Sequence, residues 1–424
     1  MDVVQDLLTF IVHSPSPFHA VMAGRDELLS AGFTELGWGK PWLLAPGGRY
    51  FTRVYGSALL AFRIGEKKPR GLRIAAAHTD FPGFRVKPAA GMVKDCYGLV
   101  NVEPYGGLIL SSWLDRPLSL AGKVVLRGKS AFAPESYLVD LTRPLLTIPG
   151  LAIHMNRAMN DGVKLNRQTE MTPVAAVAEE LEKTFFLEKL AREIGHDPEE
   201  ILSYDLTVYP AETGCRLGFD AELVSSPRLD NLTSVKACLD GLIEAESDSG
   251  IRVAALFDNE EVGSHTKQGA ASALLEQLLQ RIYRALELDA DDLAADLAAG
   301  FLLSVDVAHA LHPNYVEKAD PTNQPHLNGG VVLKQAASQA YAGDAEAVAI
   351  IAELCREHEI PVQHFVNRSD IPGGATLGSM VSSQLAIRTM DVGVPILAMH
   401  SARETMGADD QAALTGLVRA FMGK

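Results

Sequence analysis

Two stretches of the sequence decide the fold: residues 72–80, LRIAAAHTD, and residues 251–261, IRVAALFDNEE. Each is a short apolar run that ends abruptly in polar and ionisable side chains. Short runs that are apolar without alternation are typical of strands buried on both faces of a parallel sheet. Similar runs occur at 58–64 and 301–307, so we expect several such strands in one sheet.

Helical patterns separate the apolar runs after residue 226. Helices are predicted at 231–244, 270–288 and 344–357, and another internal strand is predicted at 394–399. Strands that alternate with helices predict an α/β fold, with a mostly parallel central sheet covered by helices on both faces.

The segment 86–226 has a different sequence pattern. Short β-like stretches are separated there by Gly and Pro, and one charged helix is predicted at 173–194. We therefore expect a smaller β-rich domain at 86–226, which interrupts a larger α/β domain formed by residues 1–85 and 227–424.

The composition of the 424 residues is that of a folded globular protein. Hydrophobic residues make up 47%, and 38 basic against 53 acidic residues give a net charge of −15. Without a basic stripe, neither nucleic acid nor a membrane surface is an expected partner. No apolar run approaches the roughly 20 residues that span a bilayer, and no signal peptide is evident. Four scattered cysteines favour a reducing cytoplasm.

Residues of the types that can bind metals lie where the predicted strands end or a predicted helix begins. They are His78, Asp230, Glu260, Glu261, Asp306 and His400. The carboxyl ends of strands in an open α/β sheet form its ligand crevice, so these side chains should converge. The mutual repulsion of so many carboxylates is relieved by metal ions. The set suits one or two divalent ions, with zinc as the default and cobalt or manganese as alternatives.

Each of these residues also has a simpler explanation. A single His at a strand end is usually structural, and an Asp at a helix start is usually a cap. The coincidence at several independent strand ends favours a metal site. Consecutive side chains in extended chain point opposite ways, so one of Glu260 and Glu261 should bind metal while the other moves protons.

Six strings of the sequence match the motifs of one known family. They are AHTD at 77–80, SPRLDN at 226–231, FDNEEVGS at 257–264, SVDVAHA at 304–310, HPNY at 312–315 and AMHSARE at 398–404. In these strings the chain resembles the aspartyl aminopeptidase family of dinuclear-metal exopeptidases. The resemblance implies a zinc-exopeptidase-like fold and a metalloaminopeptidase that removes N-terminal Asp or Glu from peptides through a metal-bridging hydroxide.

The resemblance also implies a role for each metal-binding residue. Asp230 is expected to bridge two divalent ions. The other ligands divide into two pairs, His78 with Asp306 and Glu261 with His400.

Two further roles follow from the same resemblance. Glu260 is expected to be the general base, which takes a proton from the bridging water and passes it to the leaving amine. Asp80 is expected to orient the imidazole of His78.

Substrate binding and assembly are implied by resemblance as well. Lys334, with Tyr341 nearby in sequence, should receive the acidic side chain of the substrate. His154 should reach the active site of a neighbouring subunit in a homo-oligomer, a dodecamer in the family. This makes 86–226 an oligomerisation domain and the remainder, 1–85 and 227–424, the catalytic metallopeptidase domain. The loop at 373–379, GGATLGS, departs from the family pattern and changes the residues beside the specificity pocket.

Two other functions remain open from the sequence. One is a dinuclear-metal aminopeptidase or amidase of different specificity. The other, from a different class, is a non-catalytic peptide-binding or assembly protein that keeps the fold.

Overall fold

A computed structural model describes residues 2–162, 164–246 and 248–424, with the backbone alone at Lys68 and Pro69. These residues form two compact units. The first comprises the chain up to Asp80, Gly214–Met399 and Glu404–Lys424, and the second comprises Phe81–Thr213 and His400–Arg403. The domain limits and the assembly role assigned from sequence to 86–226 stay predictions.

Both units contain helices and strands. The helices are α1 Val3–Val12, α2 Pro17–Ser30, α3 Phe185–Ile194, α4 Leu229–Glu244, α5 Leu274–Ala285, α6 Ala290–Ala299, α7 Ala345–Glu357, α8 Leu377–Leu385 and α9 Asp410–Gly423. Within the described ranges, none of them has the length and apolar character needed to cross a membrane.

The strands are listed here in chain order. They are β1 Thr34–Glu35, β2 Arg49–Val54, β3 Ala58–Ile64, β4 Lys68–His78, β5 Gly83–Lys94, β6 Tyr97–Tyr105, β7 Leu118–Ser130, β8 Ala133–Asp140, β9 Val174–Val177, β10 Ile201–Pro210, β11 Cys215–Leu217, β12 Leu223–Ser226, β13 Ser249–Phe257, β14 Phe301–Val305, β15 Ala308–His309, β16 Val331–Gln335, β17 Val362–Val366, β18 Arg388–Gly393, β19 Pro395–Leu397 and β20 Glu404–Gly407.

A nine-stranded sheet forms the centre of the first unit, in the order β1-β2-β3-β13-β4-β14-β18-β16-β17. Five of its eight neighbouring pairs are parallel. The prediction of a mostly parallel central sheet is therefore confirmed. Its four middle strands β13, β4, β14 and β18 all run the same way, so their carboxyl ends lie at one edge.

Helices cover both faces of this sheet, as the sequence predicts. Along β13, Val253 and Phe257 lie in one apolar cluster with Leu278 of α5. The residue before Val253, Arg252, points the other way, and its Nε donates to the carbonyl oxygen of Met422 in α9 at 2.7 Å. Alternate residues of the strand thus pack against different helices.

One predicted strand lies in a different sheet. Residues 394–399 were expected in the central sheet, but β19 joins the five-stranded sheet β11-β12-β20-β19-β15. The central position belongs instead to β18, which the sequence analysis missed. The charged residues Arg388 and Asp391 interrupt the apolar run of β18 and conceal it.

The second unit contains a six-stranded antiparallel sheet, in the order β8-β7-β10-β5-β6-β9. The helix predicted at 173–194 is wrong in its first half. Residues 174–177 form β9, which pairs with β6, and α3 begins only at Phe185. The sequence VAAV fits a strand as well as a helix, and the unpaired edge of β6 decides between them.

A buried cation joins three helices of the first unit. Lys236 of α4 is 4% exposed. Its Nζ lies 2.7 Å from Oδ2 of Asp6 in α1, 3.4 Å from Oε1 of Glu27 in α2 and 2.6 Å from Oδ1 of Asp240 in α4. Three acids around one ammonium leave an excess of negative charge.

This cluster should make stability depend on pH. Burial raises the pKa of Glu27 from 4.5 to about 7, against the opposing charge of Lys236. The folded state binds the proton of the Glu27 carboxyl group more tightly than the unfolded state does. The stabilisation of the fold by protonated Glu27 is therefore complete below pH 4.5 and is lost as the pH rises through about 7. Glu27→Gln keeps the neutral form at every pH. Relative to wild type, it should therefore gain about 1–2 kcal/mol between about pH 5 and pH 8.

Thermal unfolding of both proteins at these two pH values checks the prediction. Glu276→Gln, an exposed substitution on α5, is the control for a general change in net charge. A difference between Glu27→Gln and wild type that does not change with pH would contradict it.

Candidate metal centre

Three neighbouring strand ends deliver the acidic and imidazole side chains of the site. His78 is the last residue of β4, which lies between β13 and β14 in the sheet. A 3₁₀ turn at Glu260–Val262 follows β13, and Asp306 follows β14 directly. Because the three strands are parallel, these side chains share one edge of the sheet.

The imidazole of His78 lies at the centre of the group. Its Nε2 is 3.6 Å from Oδ1 of Asp230, 3.5 Å from Oδ1 of Asp306 and 4.0 Å from Oε2 of Glu260. One donor atom each from His78, Asp230 and Glu261 lie within 4.8 Å of one another. A group of nitrogen and oxygen donors this close together could hold a metal ion.

Charge in the site is strongly unbalanced towards negative. Burial alone would lower the pKa of His78, but hydrogen bonds to Asp306 and Asp80 raise it well above its ordinary value. Burial raises the pKa of Glu260 to about 8. The positive charge of His78 opposes this rise, and the negative charge of Asp306 adds to it. Burial would also raise the pKa of Asp306, yet Lys334 and His78 hold it below its usual range.

Asp230 is held by the irregular start of α4. Its backbone is non-helical, the peptide bond to Asn231 is cis, and its side chain is buried. Its N–H donates to Oε2 of Glu404 at 3.0 Å. The Nδ2 of Asn231 donates to the carbonyl oxygen of Val305, the last residue of β14, also at 3.0 Å. The first bond ties Asp230 to the start of β20, and the second ties the start of α4 to the residue before Asp306.

The Glu260–Glu261 turn is held from both sides. Asn259 and Gly263 have φ of 65° and 96°, a left-handed conformation that Asn and Gly adopt most readily. The carboxylate of Asp80 accepts the N–H of Glu260 at Oδ1 and the N–H of Glu261 at Oδ2, both at 3.1 Å.

Asp80 therefore does more than the sequence analysis assigned to it. His78 Nδ1 lies 3.0 Å from the backbone oxygen of Asp80 and 3.5 Å from its carboxylate Oδ1. The carbonyl group is the closer partner of the imidazole, while the carboxylate fixes the backbone of the two glutamates. Whether Asp80 acts in catalysis stays a prediction.

A close backbone approach places Asp306. Its N–H donates to the carbonyl oxygen of Val392 at 2.8 Å. A Cβ on the following residue, Gly393, would lie 1.5 Å from the carbonyl oxygen of Asp306, so no side chain fits at Gly393. This glycine lets the chain after β14 pass directly against the end of β18.

Lys334 brings a buried positive charge to this edge. The residue is 2% exposed, and its Nζ lies 3.6 Å from Oδ2 of Asp306 and donates to the carbonyl oxygen of Val307 at 3.0 Å. Burial alone would lower the pKa of Lys334, but the carboxylates of Asp306 and Asp391 raise it. The ring centroid of Tyr341 is 5.2 Å from Nζ, within range of a cation–π interaction.

Two predicted site residues belong to the second unit. His400 follows β19, and its Nδ1 lies 2.9 Å from the carbonyl oxygen of Gly107. His154 is exposed in a turn. The assignment of His400 as a metal ligand stays a prediction. So does the assignment of His154 to the active site of a neighbouring subunit.

Comparison with known proteins identifies the family. Residues 10–422 match the family described as aminopeptidase I zinc metalloprotease (M18). The chain belongs to the M18 family. It is 45% identical over 415 residues to a probable M18 family aminopeptidase 2 of Clostridium acetobutylicum, covering 97% of this chain and 96% of that one. The resemblance to aspartyl-aminopeptidase-type enzymes is thereby confirmed, and the chain is an M18 metallo-aminopeptidase.

Solved M18 structures share the fold. A chain in the cryo-EM structure of the Ape4 and Nbr1 complex is 35% identical, with a TM-score of 0.95 over 100% of this chain and 85% of that one. The mApe1 dodecamer of S. cerevisiae is 28% identical, with a TM-score of 0.85 over 99% of this chain and 96% of that one. The predicted zinc-exopeptidase-like fold is therefore confirmed.

The residues at this edge fit the zinc of an M18 enzyme. His78, Asp230 and Glu261 offer one nitrogen and two oxygen donors, which zinc accepts. The surrounding carboxylates outnumber the cations, and a divalent ion would offset that negative charge.

Sequence reasoning missed three residues that shape the centre. Asn231 and Glu404 hold Asp230, and both stand in strings that match the family, so they could have been selected. Asp391, fully buried in β18, accepts hydrogen bonds from the Oγ1 of Thr376 at 2.8 Å and from the N–H of Ala342. An acid inside an apolar strand was its only signal.

Proposed function

We propose that this M18 aminopeptidase releases N-terminal Asp or Glu from peptides and uses two divalent metal ions, with zinc as the first choice. The observation that carries the proposal is the convergence of donor atoms from His78, Asp230 and Glu261 within 4.8 Å. Three distant parts of the chain supply them, and each is held by its own hydrogen bonds.

The residues proposed to hold the ions are those assigned from the family resemblance. Asp230 would contact both ions, and the others are His78, Asp306, Glu261 and His400. When bound, such ions polarise the scissile carbonyl group and make a water molecule acidic near neutral pH.

Glu260 is proposed to move the proton. Its Oε2 lies 4.0 Å from Nε2 of His78, and burial raises its pKa towards neutrality, which suits a group that both takes and gives up a proton. It would take a proton from the attacking water and deliver it to the nitrogen of the leaving amine. The bonds from its own N–H and that of Glu261 to Asp80 keep the turn rigid during this transfer.

Lys334 is proposed to select the acidic side chain. Burying a substrate carboxylate without a partner is costly, and a buried ammonium offsets that cost. The Lys334 Nζ, 3.6 Å from Asp306, lies beside the proposed reaction centre. The neighbouring ring of Tyr341 limits the directions from which a ligand can approach it.

Assembly into a dodecamer is also part of the proposal. The S. cerevisiae relative is a dodecamer. His154 is exposed, and beside it the apolar residues Leu151, Ile153 and Met155 are 50%, 45% and 74% exposed. A second subunit would cover these side chains and receive His154. We place the enzyme in the cytoplasm because its four cysteines are scattered without metal-binding or disulfide spacing.

One experiment tests the function. Metal content and hydrolysis of peptides with N-terminal Asp, Glu, Ala or Leu are measured before chelation, after chelation and after zinc is restored. The proposal is supported if the Asp and Glu peptides are cleaved rapidly, and if this cleavage is lost on chelation and returns with zinc. Preference for Ala or Leu would indicate an aminopeptidase of other specificity, and a metal-loaded protein without turnover would indicate a non-catalytic role.

Lys334→Met should change specificity more than turnover. The substitution removes the charge and keeps most of the buried volume. We expect kcat/KM for an N-terminal Asp peptide to fall by about 10²-fold, because the substrate carboxylate loses its charged partner, and the Ala peptide to lose much less. Equal losses on both peptides in a protein with normal metal content would reject the role of Lys334.

A further inference from the structure

A cavity of about 290 Å³ lies in the first unit, among the ends of β15, β17 and β19. His309, His312, Lys318, Phe365, Arg368 and Ala398 contribute to its wall. None of these residues has a role in the proposed chemistry.

Aromatic contacts connect this cavity with Lys334. The ring of Phe365 lies 5.9 Å from the ring of His309 and 6.1 Å from the ring of Tyr341, and Tyr341 covers Lys334. His309 follows Asp306 by three residues along the chain. The cavity is therefore one side chain away from the proposed binding site of the substrate's first residue.

The cavity wall carries positive charge that ion pairs with neighbouring acids do not fully neutralise. In the described ranges, Lys318 has no carboxylate within 4.0 Å. Arg368 pairs through Nε with Asp370 at 2.8 Å and donates from Nη1 to the carbonyl oxygen of Glu317. Lys318 and Arg368 outnumber the single acid in the wall, Asp320, so the cavity has a net positive lining that favours an anionic ligand.

Hydrogen-bond donors accompany these charges. His312 Nδ1 accepts the N–H of Asn314 at 3.2 Å, so in the neutral ring the proton is on Nε2, where it is available to an acceptor. One acid, Asp320, also lines the cavity. Its Oδ1 already accepts four hydrogen bonds from Thr322 and Asn323 at 2.9–3.1 Å, which disperse its charge.

We propose that this cavity is a second recognition site, which binds a carboxylate on the part of the peptide that remains after the first residue is removed. The inference rests on the proposed function, since it assumes a peptide bound with its N-terminal residue at Lys334. Two carboxylates have the required chemistry: the side chain of a downstream acidic residue and the C-terminus of a short peptide.

Matched peptides distinguish these sources. All begin with Asp. The pair Asp-Glu-Ala-Ala amide and Asp-Gln-Ala-Ala amide differs only in a side-chain charge, and the pair Asp-Ala-Ala acid and Asp-Ala-Ala amide differs only at the C-terminus. We expect wild type to favour the charged member of at least one pair by about twofold to fivefold in kcat/KM, the range of a partly screened charge pair. The preference should shrink at high salt.

Lys318→Met should bring that ratio close to one, and Arg368→Met should reduce it. Lys129→Met, an exposed substitution on β7, is the matched control and should keep the wild-type ratio. Equal kcat/KM for both members of both pairs in wild type, or an unchanged ratio in Lys318→Met, overturns the proposal.

The same peptides with Ala as their first residue keep the two proposals separate. Loss of the preference for Asp over Ala at the first position counts against the proposed function. The charged-to-neutral ratio is measured at a constant first residue, so it tests the cavity alone.

Discussion

Glu260→Gln is expected to keep its metal and lose turnover by about 10²–10⁴-fold, the contribution that general acid–base catalysis makes in enzymes. Glutamine has nearly the same shape as glutamate, and the backbone N–H of residue 260 still donates to Asp80. The side chain, however, no longer accepts a proton from water. Metal content by elemental analysis and kcat on an N-terminal Asp peptide check both halves of this prediction.

The outcome separates two assignments of the adjacent glutamates. Glu260→Gln with full metal and near-normal kcat would remove Glu260 from proton transfer. Loss of metal together with activity would make it a ligand instead. Glu276→Gln, on the exposed face of α5, should leave both measurements unchanged.

Asp230→Asn is expected to weaken metal binding by more than about 10²-fold, since even residues that only support metal ligands contribute about 10–100-fold. Asparagine removes the negative charge that we assign to both ions. The fold should persist, because the bonds from Asp230 N–H to Glu404 and from Asn231 to Val305 do not involve the substituted group. Competition with a chromogenic zinc chelator gives the affinity, and peptide cleavage should fall in parallel.

A control lies on the same helix. Asp240→Asn, ten residues further along α4, alters the Lys236 cluster and should keep the wild-type zinc affinity. If Asp230→Asn bound zinc as tightly as this control, Asp230 would not be a ligand. Together with Glu260→Gln, the pair distinguishes residues that hold metal from one that moves protons.

Much of the centre could be predicted because strand ends are local signals. The buried runs before His78 and Glu260 are visible in the sequence, and in the structure both run parallel in one sheet. The same reasoning failed at residues 394–399, since strand character does not specify which sheet a strand joins. Pairing partners are chosen by contacts far along the chain.

Specific interactions inside the centre needed tertiary structure. No local pattern indicates that the Asp80 carboxylate accepts two N–H groups from the turn after β13. Nor does the sequence show that Lys334 pairs with Asp306, or that Phe365 lies between Tyr341 and His309. Each contact joins residues from different strands or loops, whose distances depend on the sheet order.

The sequence by itself determined the α/β fold, the family and the residue types available for chemistry, because buried strand runs and motif strings are properties of contiguous residues. Only the tertiary structure decided which of those residues meet. The parallel order β13-β4-β14 brings His78, Glu261 and Asp306 to one edge, and α4 adds Asp230. The physical reason is that burial and charge act over a few ångströms in space, whatever the separation along the chain.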